Sequence, residues 1–461
     1  MQRLVTTLAV LTLLAPPIAL AQPHCEPQRL APPVDPPASK YGSATATNGR
    51  FWFVGDSSAR TVCSGSSIGC QSGAVHVYEL IDERLEFRET IVPPDVTSGS
   101  NFGTSVDVEG DRLVVGAYKH IWAGTLMRGA VFVYEFDGQD WVETSRIQPP
   151  EEIIDFGRTV VLHGDTMAIW PSQSRDRIFL YDFDGSEWTL SQTLRPDGDP
   201  LNWRYGERMH LDDEWLFVGA HKDDSIVPSG GSVHIYRRQP DGTAEFVQRL
   251  AVDFLGRFGQ SIGYNGRSLL IGVPSDSPDF DSQGRVWAYE FDGARWQLVQ
   301  QIAHSGAGGN QAFGVWLDVS GDTFVAASEN ERTPEGLGSV YHFEQGADGV
   351  WKEVERLVPT PPAWTGHLGY DIAIADDLAL VTSLDEYVPG EPNDGAAYLF
   401  NLACSDCPPD LDADGALTIF DFLTFLNLFD AGDATADFDG DGELTIFDFL
   451  AFQTAFDAGC E

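Results

Sequence analysis

From residue 41 to residue 403, short apolar runs alternate with clusters of Gly, Asp, Asn and Pro, and the whole pattern repeats. Each copy opens on a bulky apolar residue, usually aromatic, followed by glycine. The openings are Tyr41-Gly42, Phe102-Gly103, Phe156-Gly157, Tyr205-Gly206, Phe258-Gly259, Phe313-Gly314 and Leu368-Gly369. Their spacing is 49 to 61 residues, the longest gap holding the Cys63 to Cys70 insertion. The copy at Phe102 reads FGTSVDVEG, DRLVVGA, GAVFVYEFDG and WVETSRIQPP, which predicts four short strands. Its second strand is nearly all apolar (Leu113-Val114-Val115), as for a strand buried on both faces. The third alternates, with Val131 and Val133 on one face and Phe132 and Tyr134 on the other. Asp137-Gly138, Asp184-Gly185 and Asp292-Gly293 stand between strands three and four, a strong hairpin signal. A tryptophan opens strand four at Trp141, Trp188, Trp296 and Trp351.

Four strands per repeat of about fifty residues predicts sheets stacked around an axis, because no single sheet can bury both faces alone. Seven copies predict an all-β seven-bladed β-propeller over residues 22–403. The last copy supplies only three strands, HLGYDIAIAD, LALVTS and AAYLFNL. The segment CEPQRLAPP, before the first copy, resembles the fourth-strand endings ETSRIQPP and RETIVPPD. Residues from about Cys25 to Leu30 are therefore expected to complete the last blade, closing the ring and hiding an open edge.

The first 21 residues have the pattern of a secretory signal peptide: Arg3, an apolar run from Leu4 to Leu14, and a small-x-small end at Ala19-Leu20-Ala21. No later run is long enough to span a bilayer as a helix. The expected product is secreted, extracellular or held at the cell surface, and monomeric. A formal charge of −42 argues against nucleic acid and anionic membranes as partners. Six cysteines in a secreted chain suggest disulfides, with Cys25–Cys404 across the ring closure, Cys63–Cys70 within its insertion and Cys407–Cys460 around the C-terminal segment.

Residues 404–461 differ from the rest: fourteen acidic side chains and no Lys or Arg. Two loops, DLDADGALTIFD from Asp410 and DFDGDGELTIFD from Asp437, lie 27 residues apart. Calcium takes six to eight oxygen ligands, and alternate carboxylates on a loop can converge on one ion. The expected ligands are Asp410, Asp412, Asp414, Asp421 and the Ala416 carbonyl in the first loop. In the second they are Asp437, Asp439, Asp441, Asp448 and the Glu443 carbonyl. Gly415 and Gly442 allow the turn, and a helix is expected after each loop. Both helices are rich in phenylalanine, more than a module of this size hides, so part of one face is expected to dock a partner.

The repeats resemble bacterial FG-GAP repeats of the integrin-α-like propeller type, on the aromatic-Gly starts and the block from Gly110-Asp111 to Gly116-Ala117. Ile169-Trp170 and Ala327-Ser328 depart from that block. The tandem loop–helix segment, with Asp421 and Asp448 at loop position 12 and Gly459-Cys460 at its end, resembles a GC-type dockerin. That resemblance implies two calcium ions and a cohesin-like or other surface-anchoring protein as partner. Ile419-Phe420 and Ile446-Phe447 replace the small hydroxyl pairs usual in cellulosomal dockerins, which argues for a non-standard partner.

The chain has no GxSxG, HExxH or P-loop motif, and its ten histidines are scattered. His221-Lys222-Asp223-Asp224 is the most polar cluster and is expected to be a solvated loop. Two functions compete. One is a non-catalytic binding and display protein whose propeller meets a protein or glycan. The other is an extracellular polysaccharide-active enzyme, a glycoside hydrolase or lyase, carrying a dockerin. The first is favoured because no copy carries an unusual, chemistry-rich loop.

Overall fold

The structure, a computed structural model, describes residues 27–33, 40–61, 70–95, 97–122, 128–173, 176–196, 203–276, 283–306, 311–333, 336–359, 364–387, 395–403, 409, 411, 418–439 and 444–458. The expected signal peptide lies outside these residues, as do Cys25, Cys63, Cys404, Cys407 and Cys460. Of Cys70 only the backbone is described, pairing with Thr61 in a small two-stranded hairpin. Cys25–Ala403 forms one compact unit and Cys404–Glu461 belongs to another.

The first unit is a seven-bladed propeller. The innermost strands, from blade one to blade seven, are Tyr41–Thr47, Phe102–Glu109, Thr159–His163, Met209–Leu211, Ile262–Tyr264, Phe313–Ser320 and Trp364–Ala375. In blades one to six the strands run antiparallel in chain order from the axis outward. Blade seven takes its fourth strand from the other end of the chain. Gln28–Leu30 pairs antiparallel with Ala396–Asn401, Arg29 opposite Tyr398. The ring thus closes with the two ends of the unit hydrogen-bonded together.

The core is layered around the ring. Seven apolar clusters lie at the seven blade interfaces, each drawing on two neighbouring blades. Leu113, Val114 and Val115 are fully buried because both faces of their strand meet another blade. The recurrent tryptophans pack backward across these interfaces. Trp141 of blade two lies edge-on to Phe51 and Phe53 of blade one, at 5.6 and 5.1 Å. Trp296 meets Trp215 and Phe217 in the same way, at 5.4 and 5.3 Å. Edge-to-face contacts of this kind add about 0.5–1.5 kcal/mol each to area burial.

The aromatic-Gly opening is the joint between blades. Phe102 forms a parallel bridge with Gly73 of the previous blade, and Phe156, Phe258 and Phe313 repeat it with Gly129, Gly231 and Gly284. All four phenylalanines are fully buried. Gly103, at φ +81°, is pressed so close that a Cβ there would stand 2.3 Å from the Ala74 carbonyl oxygen. The second-strand glycine packs on the same joint: a Cβ on Gly116 would meet the Gly157 oxygen at 2.1 Å. Two departures from the repeat show why they are tolerated. Where Ala327 or Thr382 replaces that glycine, its side chain lies over Gly369 or Gly42 of the next blade. One glycine of each crossing pair leaves room enough.

In the C-terminal unit, α1 spans Ile419–Ala431 and α2 spans Ile446–Ala458. Thr418 caps α1 in a capping box with Asp421, and Gly432 at φ +73° ends it. Phe425 and Phe452, the equivalent positions of the two repeats, stack at 4.3 Å and are fully buried with Ala436. Among the described residues, no helix is long and apolar enough to cross a membrane.

Candidate functional site

Of the expected calcium ligands, Asp421, Asp437, Asp439 and Asp448 are described; Asp410, Asp412, Asp414, Ala416, Asp441 and Glu443 lie outside the described residues. Asp437, Asp439 and Asp448 each bring a carboxylate oxygen within 4.8 Å of the others. A calcium–oxygen distance is about 2.3–2.6 Å, so three oxygens at that separation can share one ion. The helix start positions the last of them. Asp448 is fully buried. One of its oxygens accepts the Thr445 N–H at 2.6 Å and the other accepts the Asp439 N–H at 3.2 Å. These backbone donors, Thr445 first, hold its carboxyl below the usual range, so it is ionised at neutral pH. Asp421 has the equivalent bond, from Thr418 N–H at 2.7 Å.

In the propeller, the innermost strands surround a cavity of about 810 Å³ on the ring axis. Three of its carboxylates are tied to the walls by backbone N–H groups of the next blade. Asp107 of blade two accepts the Leu162 N–H of blade three at 2.7 Å. Asp318 of blade six accepts the Ile374 N–H of blade seven at 3.0 Å. Asp371 of blade seven accepts the Thr45 N–H of blade one at 2.6 Å. Each carboxylate stitches one blade to the next. Enclosure by the ring desolvates them, and their pKa values rise to about 7, 7 and 6.

A raised carboxyl pKa means that the folded state holds its proton more tightly than the unfolded chain does. Stability from this source is therefore present below about pH 4 and is lost as pH climbs toward 7. Asp107→Asn, which cannot ionise, is expected to flatten part of that decline. Urea midpoints of both chains between pH 4 and 8 check this; parallel pH curves would refute it.

The chain can now be compared with known proteins. Residues 86–134 match the FG-GAP repeat. The matched stretch runs from the outer strand of blade one, Arg84–Ile91, into the third strand of blade two, Arg128–Phe136. It therefore includes the blade joint at Phe102-Gly103. No curated protein matches the chain.

The described histidines are dispersed over the blades. His76, His234 and His342 are buried in their third strands, and His120 is buried in a second strand, Arg112–Ile121. The closest likeness to a nucleophile site is Ser232, whose hydroxyl donates to Asp223 at 2.5 Å and lies 3.2 Å from His234 Nε2. The carboxylate here holds the serine, not the histidine, and Ser232 is fully buried. That is the reverse of an activated nucleophile. The cluster around His221 is not a solvated loop. His221 and Asp223 are buried, and Asp224 accepts the Trp203 indole N–H at 3.0 Å.

The sequence reading passed over the large residues of the axis. Third after the opening glycine-bearing pair begins, the copies carry Ala44, Ser105, Thr159, Arg208, Ser261, Trp316 and Asp371. Four are small, and three break the series. All seven occur on the innermost strands or at their starts, and all but Ser261 line the cavity. Aligning the copies by column would have singled out Arg208, Trp316 and Asp371.

Proposed function

We propose that this chain is a secreted, non-catalytic binding and display protein. Its propeller engages a protein or glycan, and its C-terminal unit docks in a calcium-dependent way onto a cohesin-like or other surface-anchoring protein. The observation that carries the docking role is a duplicated apolar face. Ile419, Phe420 and Leu423 on α1 are 63, 62 and 47 % exposed; Ile446, Phe447 and Leu450 on α2 are 63, 63 and 49 % exposed. The internal phenylalanines do not account for it, since Phe425 and Phe452 fill the core. Two equivalent faces holding the same residues suit a partner that reads an Ile-Phe-x-x-Leu surface. The acidic cluster beneath α2 supplies the calcium dependence.

The propeller is read as a binding body because FG-GAP propellers are interaction folds and because Asp107, Asp318 and Asp371 on its axis are engaged by backbone N–H groups. A glycoside hydrolase needs two carboxyl groups free to act as acid and base.

The double variant Phe420→Asp/Phe447→Asp tests the docking face. Both side chains are mostly exposed, so helix content is expected to remain. Calcium-dependent retention on the producing cells' surface fraction is expected to fall at least tenfold, about 1.4 kcal/mol or more. Retention equal to the unaltered chain would exclude this face.

A further inference from the structure

Two guanidinium groups in the axial cavity are held by aromatic rings rather than by a carboxylate. Arg50, Arg88, Arg112, Arg146, Arg177 and Arg249 each form an ion pair. Arg158 and Arg208 line the cavity and, among the described residues, have no carboxylate oxygen within 4.0 Å. Aromatic rings hold both by their faces. The Arg208 Cζ lies 3.9 Å from the centroid of Trp316, which in turn packs 5.3 Å from Tyr370. The Arg158 Cζ lies 4.6 Å from the Tyr118 centroid. Arg208 donates one bond to the Glu207 carbonyl at 2.8 Å, and Arg158 one to Thr104 Oγ1 at 3.1 Å.

A guanidinium has five N–H donors in one plane. A ring against its face orients that plane and leaves the donor edge for an acceptor. Glu329, also on the cavity wall, lies more than 4.0 Å from both guanidiniums, and the other two nearby acids are engaged elsewhere. Glu207 is paired with Arg204 at 2.6 Å, and Asp371 accepts the Thr45 N–H and hydroxyl. The cost of keeping Arg208 charged is visible in its pKa, which burial lowers.

We propose that the axial cavity is an oxyanion site that takes one carboxylate- or sulfate-bearing sugar unit of a glycan, with Arg158 and Arg208 gripping the charged group. A cavity of about 810 Å³ is within the usual range for a small organic ligand, about 300–1,000 Å³. Cavity-lining hydroxyl and amide groups, such as Thr104 and Gln260, suit sugar hydroxyls. This inference rests on the reading of the propeller as a binding body and is independent of the C-terminal unit.

The test is calorimetric titration of the full chain with digalacturonic acid, a 6-sulfated hexose, cellobiose and sodium sulfate. Saturable binding of an acidic sugar is expected, with cellobiose at least tenfold weaker. Whichever acidic sugar binds tighter identifies the source of the oxyanion. Arg158→Gln and Arg208→Gln are each expected to weaken that binding tenfold or more. Far-ultraviolet circular dichroism and urea midpoints of both variants are expected to match the unaltered chain, which guards against variants that fail to fold. Three results would overturn the proposal: no acidic sugar bound, cellobiose bound as well as the acids, or sodium sulfate bound as well as the sugars. Sugar binding without surface retention, or retention without sugar binding, separates this proposal from the docking role.

Discussion

Calcium added to the isolated segment 404–461 is expected to turn a largely unfolded chain into the two-helix form, and chelator is expected to reverse it. The physical argument is charge. The segment carries fourteen acidic residues against no Lys or Arg, and Asp437, Asp439 and Asp448 crowd their oxygens within 4.8 Å. Without a cation these carboxylates repel, and the apolar gain is small: among the described residues, three fully buried apolar side chains, Phe425, Ala436 and Phe452, form the centre. Burying a phenylalanine contributes only about 1.5–3 kcal/mol, and ordering each residue costs about 1–2 kcal/mol in backbone entropy. Ion binding must then supply much of the folding free energy, so the two processes titrate together. Helical circular dichroism should rise with calcium and saturate near two ions. Asp448→Ala removes a proposed ligand and the acceptor of the Thr445 N–H, and is expected to weaken calcium binding at the proposed second site by ~10-fold or more. Identical spectra in calcium and in chelator would end the metal-dependent docking hypothesis.

Arg29→Ala is expected to be the most damaging single change in the short closing strand. Arg29 pairs Nη2 with Glu386 at 2.5 Å and Nε with the same carboxylate at 3.0 and 2.9 Å. Glu386 is 2 % exposed, and the Tyr398 hydroxyl also donates to it. Removing the arginine strands a buried charge, which typically costs 3–5 kcal/mol. Arg29 itself keeps 25 % of its side chain in water, so a loss of about 3 kcal/mol, at the low end, is expected. The strand it belongs to pairs through only three residues. Opening of blade seven should therefore precede global unfolding, seen as faster amide exchange across Ala396–Asn401. The double variant Arg29→Ala/Glu386→Gln should recover part of the loss. An unchanged urea midpoint for Arg29→Ala would show that the closure contributes little.

The propeller was legible because its causes are local and repeated. A strand buried on both faces must be apolar throughout, as in Leu113-Val114-Val115. A tight hairpin needs a residue at positive φ, as at Gly138, Gly185 and Gly293. The odd three-strand ending at Ala396–Asn401 pointed directly to Gln28–Leu30, because an unpaired edge inside a ring of closed blades has to be filled. The role of the aromatic-Gly pair was less evident. Its spacing marked the repeat, but its function as the crossing point of two blades appears only where Gly103 meets Ala74.

The site followed the opposite rule. Asp437, Asp439 and Asp448 could be picked out from loop spacing because a loop of twelve residues converges on itself. The axial cavity could not, since Arg158, Arg208, Trp316 and Tyr370 come from blades three, four, six and seven and meet only once the ring has closed. The buried face of each phenylalanine in α1 and α2 was equally undecided: their spacing allowed several faces, and packing of Phe425 on Phe452 selected one, leaving Phe420 and Phe447 outside. By itself the sequence determined the strands, the turns, the number of blades and the two C-terminal helices, because backbone geometry reads those from near neighbours. Only the tertiary structure decided which side chains share the axis and which apolar face stays in water, because those depend on contacts between residues far apart in the chain.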